Sequence, residues 1–453
     1  MDFIALIPGV LCVFAMFRGG RQFAFLNVVL PVLLFLPTYF FFTLRPLPSL
    51  NFIDTALLAL GGGMLVFDMP RWRFSLGDIW MGVFLLTSGW TDYRAGRTTD
   101  AAFLYFNCVV TGVVPYMAGK LLIEREGGRL KFTRRFVWIL LVTGVLSSYE
   151  YFLKSNPFSA FWNHFFPTQW AGWGTQVRWG FGRMSGPYAQ SELAGIVFSA
   201  GLMMAIWLGF RNYQEREMGD RFEPLIKRGT WVIVAFFVIV YMTQARGPWL
   251  GTIVALAIAS IGPAKRPLQR AALVIGLLLV VGAPAYIASK SYVSGPRKDY
   301  GSEKETAQYR ALLIDNYVPV AENGGLFGWG EKFPIMQGQA SIDNEYLFVW
   351  LTQGYLGVGA FVLLLLEGSI SLLRNGIKAG SARERHFDFT LLGLLLGIAF
   401  TLGTVFLGAQ SFELMFLLFG WAQAVRPHRE LAGARVVAVA RVETQQGLTR
   451  VYT

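Results

Sequence analysis

Residues 291–310, S-Y-V-S-G-P-R-K-D-Y-G-S-E-K-E-T-A-Q-Y-R, open the longest polar segment between apolar ones in this chain. The segment continues through the Gly-rich piece 324–330 and ends at 341–347, S-I-D-N-E-Y-L. Apolar stretches flank it on both sides, which predicts a folded loop laid over the mouth of a membrane-embedded helical bundle. The groups in it that are able to do chemistry are Arg297, Lys298, Glu303, Lys304, Glu305, Arg310, Asp343 and Glu345.

The composition outside this loop is that of a polytopic membrane protein. Of the 453 residues, 54% are hydrophobic and only 15% are charged, far from the balance of a soluble domain. The 39 Phe and 14 Trp residues suit helices anchored at a lipid interface. In a membrane protein, basic residues collect in the cytoplasmic loops, so we interpret the net charge of +12 as a sign of membrane topology. We expect a lipid bilayer as partner and no nucleic acid. Cys12 and Cys108 lie in apolar stretches and indicate no disulfide framework.

The expected fold class is an all-α polytopic membrane protein. A hydrocarbon core about 30 Å thick needs roughly 20 apolar residues per helix, which predicts about 12–13 transmembrane helices. These fill a transmembrane domain of residues 1–425, followed by a polar, basic cytoplasmic tail at 426–453. The predicted spans are 2–17, 22–43, 50–68, 76–92, 100–119, 136–153, 188–210, 229–245, 248–263, 271–288, 346–366, 388–406 and 411–425.

The positive residues predict the orientation. Most of the 40 Lys and Arg residues fall in alternate connections, beginning at Arg18 and Arg21, and basic loops mark the cytoplasmic side. The N-terminus is therefore expected outside and the C-terminus inside. Two long loops face outward: an aromatic one at 154–187, and a large one at 289–345 between the tenth and eleventh spans. The aromatic loop fits an interfacial segment and also a lateral entrance for a lipid-linked substrate.

Three arginines on the predicted outer side lie where an unpaired charge is costly. Arg183 occurs in R-M-S-G-P-Y, Arg246 in the tight turn T-Q-A-R-G-P-W, and Arg310 in the large loop. A charge at membrane depth needs a partner or a ligand, and the planar guanidinium matches phosphate oxygens in pairs. Gly186 and Gly247 would let the backbone approach a ligand closely. The alternative is that each arginine extends toward lipid headgroups.

A second group of polar residues lies where the large loop enters a helix. Asp343 and Glu345 alternate there with Asn344 and Tyr346. A carboxylate at this boundary could cap the helix or serve as a general base, with Glu345 and His164 as the other candidate bases. The piece L-F-G-W-G could form a phosphate nest, although it matches no established phosphate-binding motif. The three histidines are divided between the two sides of the membrane, so we expect no metal site and no cofactor.

Taken together, these elements are similar to one family. An R-x-x-G-x-Y element, a short R-G turn, and a large loop with an Arg, a G-x-G piece and D-N-x-Y-L occur here in that order. The chain resembles the O-antigen ligase and O-antigen polymerase-like integral membrane glycosyltransferases over its C-terminal two-thirds. The positions that carry the resemblance are Arg183, Gly186, Tyr188, Arg246, Gly247, Arg310, Gly328, Gly330, Asp343, Asn344, Tyr346, Leu347, Gly354 and Gly357.

The resemblance implies metal-free, inverting transfer of a glycan from a polyprenyl-diphosphate carrier at the periplasmic face of a bacterial inner membrane. Arg183 and Arg246 would stabilise the diphosphate leaving group. Asp343 would be the base, in the place where ligases of the family carry a histidine. This departure favours a polymerase of a surface or exopolysaccharide. The implied substrate-binding residues are Arg310, Gly186, Tyr188, Gly247, Asn344, Glu345 and Tyr346.

Two other functions remain open at this stage. A ligase would join the glycan to lipid A core or to protein. A transporter or flippase for a lipid-linked oligosaccharide would need charges in the middle of several spans and an internal repeat. Asp54 and Glu150 are intramembrane charges that lie toward the outer ends of their spans, and no repeat is found. The expected partners are the lipid-linked donor, a glycan acceptor and a chain-length regulator protein, while the sugar and its linkage stay open.

Overall fold

The computed structural model describes residues 2–43, 48–169, 174–217, 225–293, 302–336, 339 and 341–425. The predicted cytoplasmic tail at 426–453 lies outside these residues. Four residues of the two predicted outer loops also lie outside them: Trp170, Trp173, Arg297 and Lys298. The described helices are α1 Ile7–Ala24, α2 Leu30–Phe35, α3 Phe52–Phe67, α4 Leu76–Arg94, α5 Thr98–Asn107, α6 Val114–Leu122, α7 Gly128–Leu153, α8 Pro157–Asn163, α9 Ser191–Glu217, α10 Leu225–Met242, α11 Arg246–Ala259, α12 Pro267–Val293, α13 Ser302–Asn323, α14 Glu345–Lys378, α15 Ala382–Leu402 and α16 Gln410–Ala424. Two hairpins pair β1 Phe41–Phe42 with β2 Leu50–Asn51, and β3 Val177–Arg178 with β4 Phe181–Gly182.

Length and apolar composition identify the membrane-crossing helices. Within the described residues, seven helical stretches are long and apolar enough to cross a membrane, and three shorter apolar helices accompany them. The predicted class, an all-α polytopic membrane protein, is therefore confirmed, while the number of 12–13 spans stays a prediction. The seven stretches are Phe3–Phe35, Thr98–Leu122, Gly128–Leu153, Ser191–Phe210, Pro267–Pro284, Glu345–Lys378 and Ala382–Leu402.

Prolines and glycines shape these helices in predictable ways. A π-helical turn, Phe25–Val29, joins α1 to α2 just before Pro31, and another, Cys108–Val113, joins α5 to α6 just before Pro115. Proline lacks the N–H that would bond the carbonyl four residues back, so the widened turn lies beside the lost bond. Gly20 (φ 77°, ψ 178°) interrupts α1 between the predicted first and second spans.

Ion pairs hold together the end of the bundle where α3 finishes and α4 begins. Asp68, only 1% exposed, pairs with Arg21 at 2.8 Å, Arg71 at 3.2 Å and Arg125 at 3.8 Å. Burial raises the pKa of the Asp68 carboxyl, but the hydrogen bond from Arg21 and the three positive charges outweigh it and lower the pKa below its ordinary value. The basic residues that predict the cytoplasmic side thus also join helix ends.

The aromatic loop is partly packed into the bundle at the opposite end. Phe166 is fully buried, with its ring centroid 5.0 Å from that of Phe40, while Trp162 lies 4.7 Å from Phe52. Phe161 remains 58% exposed. The described part of this loop therefore mixes core aromatic residues with surface ones.

The large loop is attached to a break in α14. Gly354 (φ 69°, ψ −165°) interrupts that helix, and four backbone hydrogen bonds of 2.8–3.2 Å join residues 325–330 to residues 351–356 across the break. The carbonyls and N–H groups freed by the break are thereby satisfied, as a membrane helix requires. The path of the Gly-rich piece requires glycine at position 328, because a Cβ there would lie 2.5 Å from the Gly354 nitrogen. The piece therefore bonds a helix, and it does not line the cavity described next.

Candidate active site

A cavity of about 430 Å³ lies at the end of the bundle where α7 and α10 finish and α11 and α14 begin. It collects four arginines and two carboxylates from segments that are distant in sequence. The charged lining residues are Arg178, Arg183, Arg246, Arg310, Glu192 and Asp343, and the polar ones include Thr175, Gln176, Gln190, Ser191, Ser341 and Thr404. The three arginines and the aspartate singled out from the sequence thus come together in one place.

The β3–β4 hairpin presents two of the arginines. Its two-residue turn, Trp179 and Gly180, has positive φ at both positions (52° and 83°), the form whose twist matches paired strands. The N–H of Arg183 donates to the carbonyl of Gln176 at 2.7 Å and extends the pairing by one step. Arg178 donates from Nη1 to the carbonyl of Gln244 at 2.8 Å. The hairpin is thereby tied to the α10–α11 turn that carries Arg246.

Arg183 is the most buried of the four arginines that line the cavity, with 7% of its side chain exposed. Its two terminal nitrogens donate to the side chains of Gln176 and Glu192. Its Nε is buried and has no hydrogen-bond partner among the described residues. A buried guanidinium N–H without an acceptor costs free energy, so this donor is available to a ligand. The pairing with Glu192 at the start of α9 fixes the side chain in position.

Arg246 is the first residue of α11, where the helix dipole adds positive potential. Its Cζ lies 5.9 Å from the centroid of the Trp179 ring at the hairpin tip. A Cβ on the adjacent Gly247 would meet Thr404 Oγ1 at 2.6 Å, so glycine here lets the segment after α15 approach. Gly247 lines the cavity, and the close approach it permits is to Thr404, so its role in binding substrate stays a prediction.

The large loop supplies Arg310 and Asp343. Tyr309 on α13 donates from its hydroxyl to the Ser341 carbonyl at 2.6 Å, which holds α13 against the residues preceding α14. The Nε of Arg310 is buried and has no hydrogen-bond partner among the described residues. Asp343 is half-buried and accepts a hydrogen bond from Ser341 Oγ at 2.6 Å. The helix cap is Asn344, whose Oδ1 accepts from the Leu347 N–H at 3.1 Å, so Asp343 is left facing the cavity.

Other predicted site residues lie outside this lining and hold its backbone in place. Gly186 (φ 59°) donates its N–H to Glu150 at 2.8 Å, and Tyr188, 1% exposed, donates to the Leu34 carbonyl at 3.0 Å. Tyr346 donates to the Ala399 carbonyl at 2.8 Å. These contacts position the Arg183 segment and the start of α14. A substrate-binding role for Gly186, Tyr188, Asn344 and Tyr346 stays a prediction.

Glu345 lines a second, larger cavity of about 1,160 Å³. One of its oxygens accepts a hydrogen bond from the Leu407 N–H at 2.7 Å. Phe406, immediately before Leu407, lines both cavities, so the two adjoin at that ring. His164 is exposed and lines neither.

Sequence reasoning missed Arg178, Gln176 and Glu192. Arg178 lies five residues before Arg183 in the same predicted outer loop, with Trp179-Gly180 between them. A two-residue hairpin at that dipeptide would have brought both arginines together, and the glycine was the available signal.

The described residues contain no group of three or more His, Cys, Asp and Glu side chains placed to hold a metal ion. The cationic groups of the cavity are its arginines. Independence from metal stays a prediction for the reaction.

Fold and site define a polytopic helical membrane protein with an arginine-lined cavity at one end of its helices. Residues 231–362 match the O-antigen ligase family, and the resemblance derived from the sequence is confirmed there. The matching segment includes Arg246, Gly247, Arg310 and Asp343, while Arg178 and Arg183 precede it. No curated protein matches the chain.

Proposed function

We propose that this chain is a metal-independent, inverting glycosyltransferase that polymerises polyprenyl-diphosphate-linked repeat units of a surface or exopolysaccharide. Its site would face the periplasm of a bacterial inner membrane. The observation that carries the proposal is the lining of the 430 Å³ cavity, where four arginines stand against two carboxylates. A lining with this excess of positive charge suits a ligand with several negative charges.

The hydrogen-bond donors of the cavity suit the diphosphate of the proposed lipid-linked substrate. The Nε atoms of Arg183 and Arg310 are buried and lack partners among the described residues, and phosphate oxygens are strong acceptors for guanidinium groups. Arg246 adds its charge at the N-terminus of α11. As the bond to the sugar breaks, charge builds up on the diphosphate, and fixed arginines stabilise that charge without reorganising.

The reaction balances with the groups in this cavity. The acceptor hydroxyl attacks the anomeric carbon, its oxygen forms the new glycosidic bond, and its proton passes to the Asp343 carboxylate. The bond from the anomeric carbon to the phosphate oxygen breaks, and polyprenyl diphosphate leaves with the electron pair. Attack opposite the leaving group inverts the anomeric carbon.

A ligase is the second candidate, and the match of residues 231–362 to the O-antigen ligase family favours it. A ligase would use the same donor and the same arginines. The two differ in acceptor: a polymerase takes another lipid-linked repeat unit, whereas a ligase takes lipid A core or a protein.

The test is reconstitution of the purified chain in liposomes that contain the polyprenyl-diphosphate-linked repeat unit. A ladder of longer glycans on gels supports the polymerase. A single transfer that requires added lipid A core supports the ligase. If neither product forms while the protein is monodisperse and well folded, the proposed transferase activity is wrong. Adding a chain-length regulator should narrow the ladder if that protein is a partner.

A further inference from the structure

The second cavity differs from the first in size and in charge. Its volume of about 1,160 Å³ is above the roughly 300–1,000 Å³ of ordinary small-molecule pockets. Its charged lining residues are all acidic, and no Lys or Arg contributes to it among the described residues. The acidic residues are Asp54, Glu331, Glu345 and Glu413. Without a guanidinium or ammonium group among the described residues, this lining offers a diphosphate no counter-charge, unlike the lining of the first cavity.

Glu413 provides an unused acceptor in this cavity. It lies in the first turn of α16, is 2% exposed, and its Oε2 has no hydrogen-bond partner among the described residues. Glu345 accepts from the Leu407 N–H, and Asp54 accepts from the Asn51 N–H in the capping box of α3. A buried carboxyl oxygen without a hydrogen-bond partner is costly, and a ligand with hydroxyl groups would supply that partner.

Aromatic rings complete the lining. Rings offer flat apolar faces against which the C–H faces of a sugar pack, while carboxylates and amides bond its hydroxyls. The rings that line the cavity are Phe41, Phe84, Phe103, Phe333, Phe348, Phe406 and Phe412, and the neutral polar side chains include Asn51, Asn107, Thr352 and Gln353. This combination suits an uncharged, hydroxyl-rich oligosaccharide.

We propose that the second cavity binds the acceptor glycan as an uncharged oligosaccharide, with Glu413 accepting a hydrogen bond from one of its hydroxyls. The proposal rests on the glycosyltransferase function given above. Phe406 lines both cavities, so an acceptor held here reaches the donor site past that ring. Because the described lining offers no cationic partner, we expect it to disfavour acceptor sugars that carry carboxylates or phosphates.

The kinetic test separates acceptor from donor. The acceptor probe is the repeat-unit oligosaccharide released from its carrier and reduced at the reducing end, so that it cannot act as a donor. Glu413→Leu should raise the KM for this probe about tenfold, because the hydrogen bond from its hydroxyl loses its acceptor, and leave the donor KM unchanged. Glu367→Leu is the matched control, since Glu367 Oε2 is also buried without a partner among the described residues but lines neither cavity. An unchanged acceptor KM in Glu413→Leu overturns the proposal.

A binding measurement decides the matter without turnover or a substitution at Glu413. Thr99→Cys places a thiol in this cavity, in a Cys108→Ser background because Cys108 lines the same space. The reduced oligosaccharide should slow maleimide labelling of this thiol. The same oligosaccharide with its primary alcohols oxidised to carboxylates should slow the labelling equally only at a concentration at least tenfold higher. Labelling rates that neither probe changes overturn the acceptor site. A chain that shows protection but transfers no glycan would contradict the proposed function alone.

Discussion

Asp343 and Glu345 lie two residues apart and line different cavities, Asp343 the arginine-rich one and Glu345 the acidic one. Asp343 accepts a hydrogen bond from Ser341 Oγ, and Glu345 accepts one from the Leu407 N–H. The helix cap between them is Asn344. One short segment therefore places a carboxylate on each side of the partition formed by Phe406, and only Asp343 shares a cavity with the arginines.

The role of Asp343 as general base is tested by Asp343→Asn. The amide keeps the shape of the side chain but removes the charge that accepts the proton, so turnover should fall by about 10²–10⁴. The donor KM should stay near that of the wild type because the arginines are intact. Initial rates with purified protein at saturating acceptor measure both. Near-normal turnover would make Glu345 the next candidate, since it lines the adjoining cavity whereas His164 lines neither.

Arg246 is tested by Arg246→Lys. Lysine keeps the charge at the start of α11 but loses the planar pair of donors, so the donor KM should rise about tenfold and turnover should fall. Arg266→Lys is the control, because Arg266 is exposed and lies outside both cavities. Equal kinetics in the two variants would exclude a phosphate contact by the Arg246 fork.

Orientation is tested with two exposed lysines on opposite ends of the bundle. Lys332 follows the Gly-rich piece of the large loop, and Lys265 lies between α11 and α12. In intact spheroplasts, an impermeant maleimide should label Lys332→Cys and leave Lys265→Cys unlabelled until the membrane is permeabilised. The reverse pattern would put the arginine cavity on the cytoplasmic side.

The attachment of the loop to α14 is tested by Gly328→Ala. The added Cβ would lie 2.5 Å from the Gly354 nitrogen at a φ of 70°, which should cost about 1–3 kcal/mol and lower the Tm in detergent. Gly359→Ala in the same helix is the control, since a Cβ there meets nothing within 4 Å. If the Tm of Gly328→Ala equals that of the control, the attachment of the loop to the break in α14 does not contribute to the stability of the protein.

Chelator resistance tests how the leaving group is stabilised. If the arginines supply the positive charge, transfer should proceed at the same rate in excess EDTA as in magnesium. Loss of transfer in EDTA and its return with magnesium would show that a divalent ion holds the diphosphate.

Part of this site could be predicted because of the membrane itself. Arg183, Arg246 and Arg310 stand out in a sequence of apolar spans, and charge alternation puts them on one side with Asp343. Polar residues confined to one end of a helical bundle share a small volume, and these four line the same cavity.

The remainder depends on contacts that no local pattern encodes. Gly186 matched a motif, but its N–H bonds Glu150, 36 residues earlier in the chain. The ion pair between Arg183 and Glu192 depends on a hairpin turn in which Trp179 adopts a positive φ. Non-glycine residues rarely take that conformation, so the sequence predicts it poorly.

The hydrogen bonds across the Gly354 break also have a mechanical consequence. They join residues 325–330 to α14 on both sides of the break, and Tyr309 adds α13 to the same unit through Ser341. The wall of the cavity that bears Arg310 and Asp343 is therefore a rigid unit. If the proposed lipid-linked donor displaces a wall as it enters, we expect it to displace the β3–β4 hairpin, which is held through Arg178 at Gln244 and through Trp179 beside Arg246.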